Sequence, residues 1–206
     1  MKELRTKHKL NNLHKKKLQN NRGVFKSFPI EQYLINSYPN LNISLKEVEK
    51  IKSLSKKNNI DLIYDADKSQ IFFQNELKKL GVTVDLKKDK KLISLLDNIS
   101  PIIIELKYTF NRPRPNEISE IDYVYLDSAQ TPSYPSGHST QSQFIGLYLS
   151  DKYPTLKKQI LNISHKIGIS RLLARIHYPS DHSVGKNLGS HLYYHYKKFT
   201  PQKNII

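Results

Sequence analysis

Apolar residues recur every three or four positions through most of the chain, the spacing that gathers them on one face of a helix. Leu45, Val48, Ile51 and Leu54 follow from Ser44-Leu45-Lys46-Glu47, a capping box that opens a helix closed near Asn58-Asn59. A second helix is expected from about Asp67, as N-cap, to Leu80, with Phe73 and Leu77 inward and Gly81 as its stop. A third begins near Asp89 and buries Leu92, Leu95, Leu96 and Ile99. Ser100-Pro101 reads as a fresh N-cap followed by proline in the first helical position, so a separate fourth helix carries Ile102, Ile103, Leu106 and Phe110. Phe144, Ile145, Tyr148 and Leu149 mark a helix opened by Ser136-Gly137 and ended near Tyr153-Pro154. Leu156, Ile160, Ile163 and Ile167 mark the next, and Val184, Leu188, Leu192 and Tyr196 a last one capped by Ser180. Only Val82-Thr83-Val84 and the stretch from Ile121 to Leu126 look strand-like, and nothing repeats. The expected fold class is all-α, a single helical bundle.

Two segments fall outside that periodicity. Asn111-Arg112-Pro113-Arg114-Pro115 holds too many prolines to be helical, and Asn116 to Tyr134 is a long connection of the kind that often carries function. Residues 1–26 form a basic, asparagine-rich arm with isolated leucines, read as a solvated tail ahead of a helical domain over 27–206. Seven lysines, two arginines and one glutamate give this arm a charge of +8, half of the chain's +16. A basic bias suits anionic substrates, nucleic acid or a membrane surface, and charge alone does not choose among them. With no cysteine among the 206 residues, disulfides and thiolate metal sites are excluded. The arm has no apolar run like the centre of a signal peptide, and the greasiest stretch, Leu92 to Phe110, is broken by Asp97, Asn98, Glu105 and Lys107. A soluble, cytoplasmic protein is the expectation.

Chemistry concentrates in three clusters. Arg171 follows Ile167 by four residues, so it falls on the apolar face of its helix, where a guanidinium must find an anion. Pro179 ends the simple continuation of that helix and leaves His177 in a turn with Asp181 just beyond. A carboxylate there can hold one imidazole nitrogen and leave the other free to attack. The bland alternative is an Arg171–Asp181 ion pair beside an incidental histidine. Upstream, Pro135-Ser136-Gly137-His138 starts a helix whose unpaired amides, open at Gly137, make an anion site to which the Ser136 hydroxyl adds a donor. Lys107 and Arg114 stand as two cations at the exit of another helix. Taken singly, each cluster reads as readily as surface charge or helix cap.

Together, Lys107-x6-Arg114-Pro115, Pro135-Ser136-Gly137-His138 and Ser170-Arg171-x5-His177-x3-Asp181 resemble, in order and at every position, the signature of the type 2 phosphatidic acid phosphatase superfamily. That superfamily includes bacterial class A acid phosphatases, lipid phosphate phosphatases and vanadium haloperoxidases. Gly185 and Gly189 also resemble the family's small-residue helix; the first hundred residues carry no such likeness. The resemblance implies a helical bundle in which His177 attacks phosphorus, Asp181 fixes its tautomer and His138 protonates the leaving group. It implies that Lys107, Arg114, Ser136, Gly137 and Arg171 hold the phosphoryl oxygens, with no metal and no cofactor, and vanadate as an inhibitor. Arg112, Arg175 and His182 lie beside motif positions. The leading expectation is a metal-independent phosphatase acting on small phosphomonoesters or diphosphates. Its rivals are a lipid phosphate phosphatase held at an anionic membrane surface by residues 1–26 and a haloperoxidase using vanadate as cofactor. A nucleic-acid binder with vestigial motifs is the rival from another class.

Overall fold

The computed structural model describes residues 5–35, 37–56 and 59–199. Ten α-helices follow in chain order among them: α1 Asn12–Leu18, α2 Glu31–Leu34, α3 Leu41–Lys52, α4 Ile60–Asp67, α5 Ser69–Lys79, α6 Lys90–Phe110, α7 Pro115–Ile118, α8 Gly137–Lys152, α9 Lys157–Leu173 and α10 Pro179–Lys198. No strand occurs among the described residues, so the all-α class holds. The strand-like stretch at 121–126 instead contributes Val124, whose amide bonds the carbonyl of Ala174 at 3.0 Å. The core gathers Phe73 and Leu77 of α5, Leu92 and Ile99 of α6, Phe144 of α8, Ile160 and Ile167 of α9, and Leu188 and Leu192 of α10, all fully buried.

Helix α8 lies between α9 and α10, and small residues set how closely it does so. A Cβ added at Gly185 would come within 2.6 Å of the Ser136 carbonyl oxygen. One at Gly189 would come within 2.3 Å of the Thr140 carbonyl oxygen. Both obstacles are backbone, so α10 is drawn against the first turn of α8 as far as a missing side chain allows. The Ser136 amide completes the seam by donating to the Asp181 carbonyl at 3.1 Å. Two of the three sequence clusters are thereby locked together through main chain.

Several expected boundaries move, each for a local reason. Asn40 starts α3 four residues before the expected cap, because its side chain accepts from the Ile43 amide at 3.0 Å. The helix also stops at Lys52, with Ser53 as its C-cap, well short of the expected end at Asn58-Asn59, of which Asn58 lies outside the described residues. Asp67 does not cap α5; it ends α4, and its carboxylate is spent elsewhere. Helices three and four are one, α6, with Pro101 inside it. A mid-helix proline costs about 3 kcal/mol. The apolar stripe running unbroken through Leu92, Leu95, Ile99, Ile102, Ile103 and Leu106 buries enough surface on both sides of Pro101 to outweigh that. In α10 the capping carboxylate is Asp181, which accepts from the Tyr178 amide at 3.1 Å, and not the expected Ser180.

The solvated-tail reading of the basic arm is corrected over its described part. Phe25 is fully buried in the core, and His14 on α1 is buried with Nδ1 2.9 Å from the Tyr108 hydroxyl. Thr6 donates its amide to the Asn111 carbonyl at 3.1 Å and its hydroxyl to Glu117 at 2.7 Å. The arm's few apolar and neutral residues do the anchoring, while its lysines stay outward. No helix among the described residues is long and apolar enough to cross a membrane.

The glycine seam gives a direct test. Gly189→Ala forces a methyl into the Thr140 carbonyl, so it should cost about 1–3 kcal/mol and lower Tm by roughly 2–12 °C in a thermal melt.

Candidate active site

The most deeply buried ion pair among the described residues sits behind the candidate nucleophile. Arg112 is fully buried and donates from Nη1 to Asp181 at 2.6 Å and from Nη2 to Glu47 at 3.0 Å. Its guanidinium carbon lies 3.8 Å from the centre of the Tyr178 ring. Glu47 in turn accepts from the Ser180 amide and hydroxyl, each at 2.7 Å. Burial alone would push the Asp181 carboxyl up, but Arg112, His177 and the Tyr178 amide hold it well below the usual carboxylate range. An anionic Asp181 can only accept, so His177, whose Nδ1 lies 3.0 Å from Oδ2, carries its proton there. Nε2 is the ring nitrogen left for chemistry. Burial, with Arg114 and Lys107 nearby, pushes the His177 pKa well below its ordinary value despite Asp181, so the ring stays neutral.

The cations surround that ring. Lys107, near the end of α6, donates to the Pro132 carbonyl at 2.6 Å. Arg114 donates from Nε to the Thr131 carbonyl at 2.9 Å and from Nη1 to the Ile176 carbonyl at 2.6 Å. Both side chains are buried, yet among the described residues neither forms a salt bridge with a carboxylate. Backbone carbonyls solvate both charges, joined at Arg114 by the Thr131 hydroxyl at 3.5 Å. Burial and the neighbouring Arg171 push Arg114 down to about 10, and burial does the same to Arg171, so both stay charged at neutral pH. Lys107 is pushed well below its ordinary value by burial and by Arg114. With Lys107 protonated this pocket lacks an anion, and an anion placed there would raise the Lys107 pKa again.

Ser136 and Gly137 open α8 beside Lys107. The Ser136 oxygen accepts from the Ser139 amide at 3.3 Å and the Ser139 hydroxyl at 3.0 Å, which leaves its own proton to donate outward. A Cβ at Gly137 would meet Ile103 and the Lys107 Cε at ordinary contact distance, 3.6 and 3.7 Å. No protein atom forbids a side chain there, but a methyl would pack directly against the Lys107 stem.

Arg171 is fully buried as the helix pattern requires, but its anion is Asp67 at 3.0 Å and not Asp181, so the bland ion-pair alternative does not hold. Asp67 also receives the Ser128 hydroxyl at 2.5 Å and lies 3.4 Å from His138, whose Nε2 is 3.1 Å from the Asp67 carbonyl. Burial would raise Asp67, but His138, Ser128 and Arg171 together hold it below the usual range. His138 is pushed down by burial and by Arg171, against the upward pull of Asp67. The eight sequence-predicted residues thus form one connected cluster. Arg175 is directed away, to Asp122 and the Lys52 carbonyl, and His182 bonds the Ser139 hydroxyl at 2.9 Å, behind Ser136.

Sequence reasoning missed Glu47, Asp67 and Ser128, and left Arg112 at the margin. Only Arg112 carried a signal, the doubled Arg-Pro of the first cluster. The other three reach the site from separate segments.

Comparison with known proteins gives one family. The family model described as PAP2 superfamily matches residues 92–205, which hold all eight predicted site residues and Arg112 but neither Glu47 nor Asp67. Among solved structures, the chain resembles the first transmembrane PAP2 type phosphatidylglycerolphosphate phosphatase from Bacillus subtilis. Sequence identity is 19% and the TM-score 0.43, over 92% of this chain and 87% of that one. No curated protein matches.

Two measurements check this geometry. Arg112→Ala leaves Asp181 and Glu47 buried without their cation and should cost about 3–5 kcal/mol in denaturant unfolding. Asp67→Asn removes the carboxylate that raises His138, so the pKa of His138 should fall further. If His138 must be protonated, the alkaline limb of kcat/KM then moves to lower pH than in the parent protein.

Proposed function

The chain belongs to the PAP2 superfamily, and from that premise we propose that it is a metal-independent phosphatase that cleaves phosphomonoesters through a phosphohistidine. The observation that carries this reading is the pair of buried cations without carboxylate partners, Lys107 and Arg114, beside a neutral, oriented imidazole. A phosphoryl group supplies the charge that this pocket lacks. Its non-bridging oxygens fit Lys107, Arg114, Arg171, the Ser136 hydroxyl and the α8 amides.

In the first step His177 Nε2 attacks phosphorus while the bond to the ester oxygen breaks. His138 passes its proton to the departing alkoxide, and Asp181 stabilises the imidazolium that His177 becomes. In the second step water attacks the phosphohistidine, His138 takes back a proton, and inorganic phosphate leaves with neutral His177 restored. Charge on the equatorial oxygens changes little in place, so fixed cations already aimed at them do the work of positioning and stabilisation. The bound phosphoryl dianion raises the pKa of His138 relative to the empty site, which readies the acid when substrate is present.

Free-enzyme groups set the pH profile of kcat/KM. His177 must be neutral and its pKa is depressed, so the acid limb lies well below 6.5. His138 must be protonated and its pKa is also lowered from 6.5, so the rate falls again before neutrality and the optimum is acidic. His177→Ala should lower turnover of p-nitrophenyl phosphate by about 10³-fold or more, with the fold intact by circular dichroism. His138→Ala should lose about 10²–10⁴-fold on alkyl phosphates but far less on p-nitrophenyl phosphate, whose leaving group needs no proton. Activity should persist in chelator and be inhibited by vanadate. Retained turnover in His177→Ala, or loss in chelator reversed by a divalent cation, contradicts the proposal.

A further inference from the structure

A cavity of about 470 Å³ opens beside His138, on the side where an acid would meet the leaving group. Asp67 lines it together with His138, and its carboxylate pairs with Arg171, so the cavity meets the candidate site at these two residues. Three lysines line it from three separate segments: Lys17 on α1, Lys68 between α4 and α5, and Lys87 before α6. Among the described residues none of the three has a salt-bridge partner, whereas Lys52, Lys79, Lys88, Lys152, Lys166 and Lys197 do. The acids in the wall do not balance them. Asp67 is committed to Arg171 and His138, which leaves Asp97 alone against three ammonium groups. Apolar lining is confined to isolated side chains such as Leu96 and Ile145, too little to receive an acyl chain.

We infer that this cavity is the leaving-group subsite, and that the preferred substrate is a phosphomonoester whose alcohol is hydrophilic and carries a second anionic group, such as another phosphate. The inference rests on the phosphatase reading. His138 stands between the two compartments and hands its proton from the phosphate side to the alkoxide on the cavity side. The second anion then lies among Lys17, Lys68 and Lys87, held by long-range attraction that salt weakens. The arm's charge therefore serves the substrate: α1 is docked along α6 and delivers Lys17 to the wall.

The test compares fructose 1,6-bisphosphate with fructose 6-phosphate, with phosphatidic acid in mixed micelles as the lipid arm and p-nitrophenyl phosphate as the reporter of phosphatase activity. The expected ratio of kcat/KM, bisphosphate over monophosphate, is about tenfold at low salt and shrinks as potassium chloride is added. Lys17→Glu/Lys68→Glu/Lys87→Glu should bring that ratio to one or below. Lys87→Glu alone, at an exposed position, should lower it in the same direction and serves if the triple variant does not fold. A ratio near one in the parent protein, a ratio unmoved by the lysine reversals, or preference for phosphatidic acid overturns the inference while p-nitrophenyl phosphate is still hydrolysed. Failure to hydrolyse p-nitrophenyl phosphate at all overturns the phosphatase reading as well.

Discussion

Everything at this site depends on the ion pair between Arg112 and Asp181. Two charges taken out of water cost several kcal/mol each unless geometry and extra hydrogen bonds repay them. Here the repayment is broad: Asp181 takes Arg112, His177 and the Tyr178 amide, while Arg112 takes Asp181, Glu47, Ser44, the Ser180 hydroxyl and the Tyr178 ring face. The carboxylate is therefore fixed in both charge and place, and His177 inherits its tautomer. Replacing the pair with apolar residues could preserve packing, but it would leave the imidazole unoriented.

The second constraint is an imbalance of charge. Arg112 is matched by Asp181 and Glu47, and Arg171 by Asp67, while Lys107 and Arg114 rest on carbonyl oxygens. Carbonyl dipoles keep two cations tolerable inside the protein, but they do not neutralise them. On the proposed reading, that net positive charge favours an incoming dianion, and favours still more the charge that gathers on phosphoryl oxygens during transfer. The main-chain seam at Gly185 and Gly189 keeps the Ser136 turn and Asp181 in register while this happens.

What the sequence made legible follows from where each signal resides. The core helices are visible because burial imposes a 3.6-residue period, and the eight candidate site residues because they lie in three short runs with fixed spacing. The merger at Pro101 was not visible, since local proline chemistry argues for a break and only the continuity of buried surface across it argues otherwise. Asp67 looked like a helix cap because an acid before a polar stretch usually is one; its pairing with Arg171 across 104 positions leaves no local trace. Glu47 sat inside a recognised capping box, which accounted for it too readily. The arm's lysines concealed the anchors at Thr6, His14 and Phe25, which are few and scattered.

The account's central claim is that Asp181, held by Arg112, presents His177 Nε2 as the nucleophile. The most direct measurement is to mix the His138→Ala protein with p-nitrophenyl phosphate, quench it in alkali, and locate the phosphate by peptide mass spectrometry and ³¹P NMR. The account predicts a phosphohistidine at His177, substituted on Nε2 and absent from Asp181→Ala. Phosphate on Nδ1 of His177, phosphate on another residue, or turnover with no phosphoenzyme in any variant would contradict it.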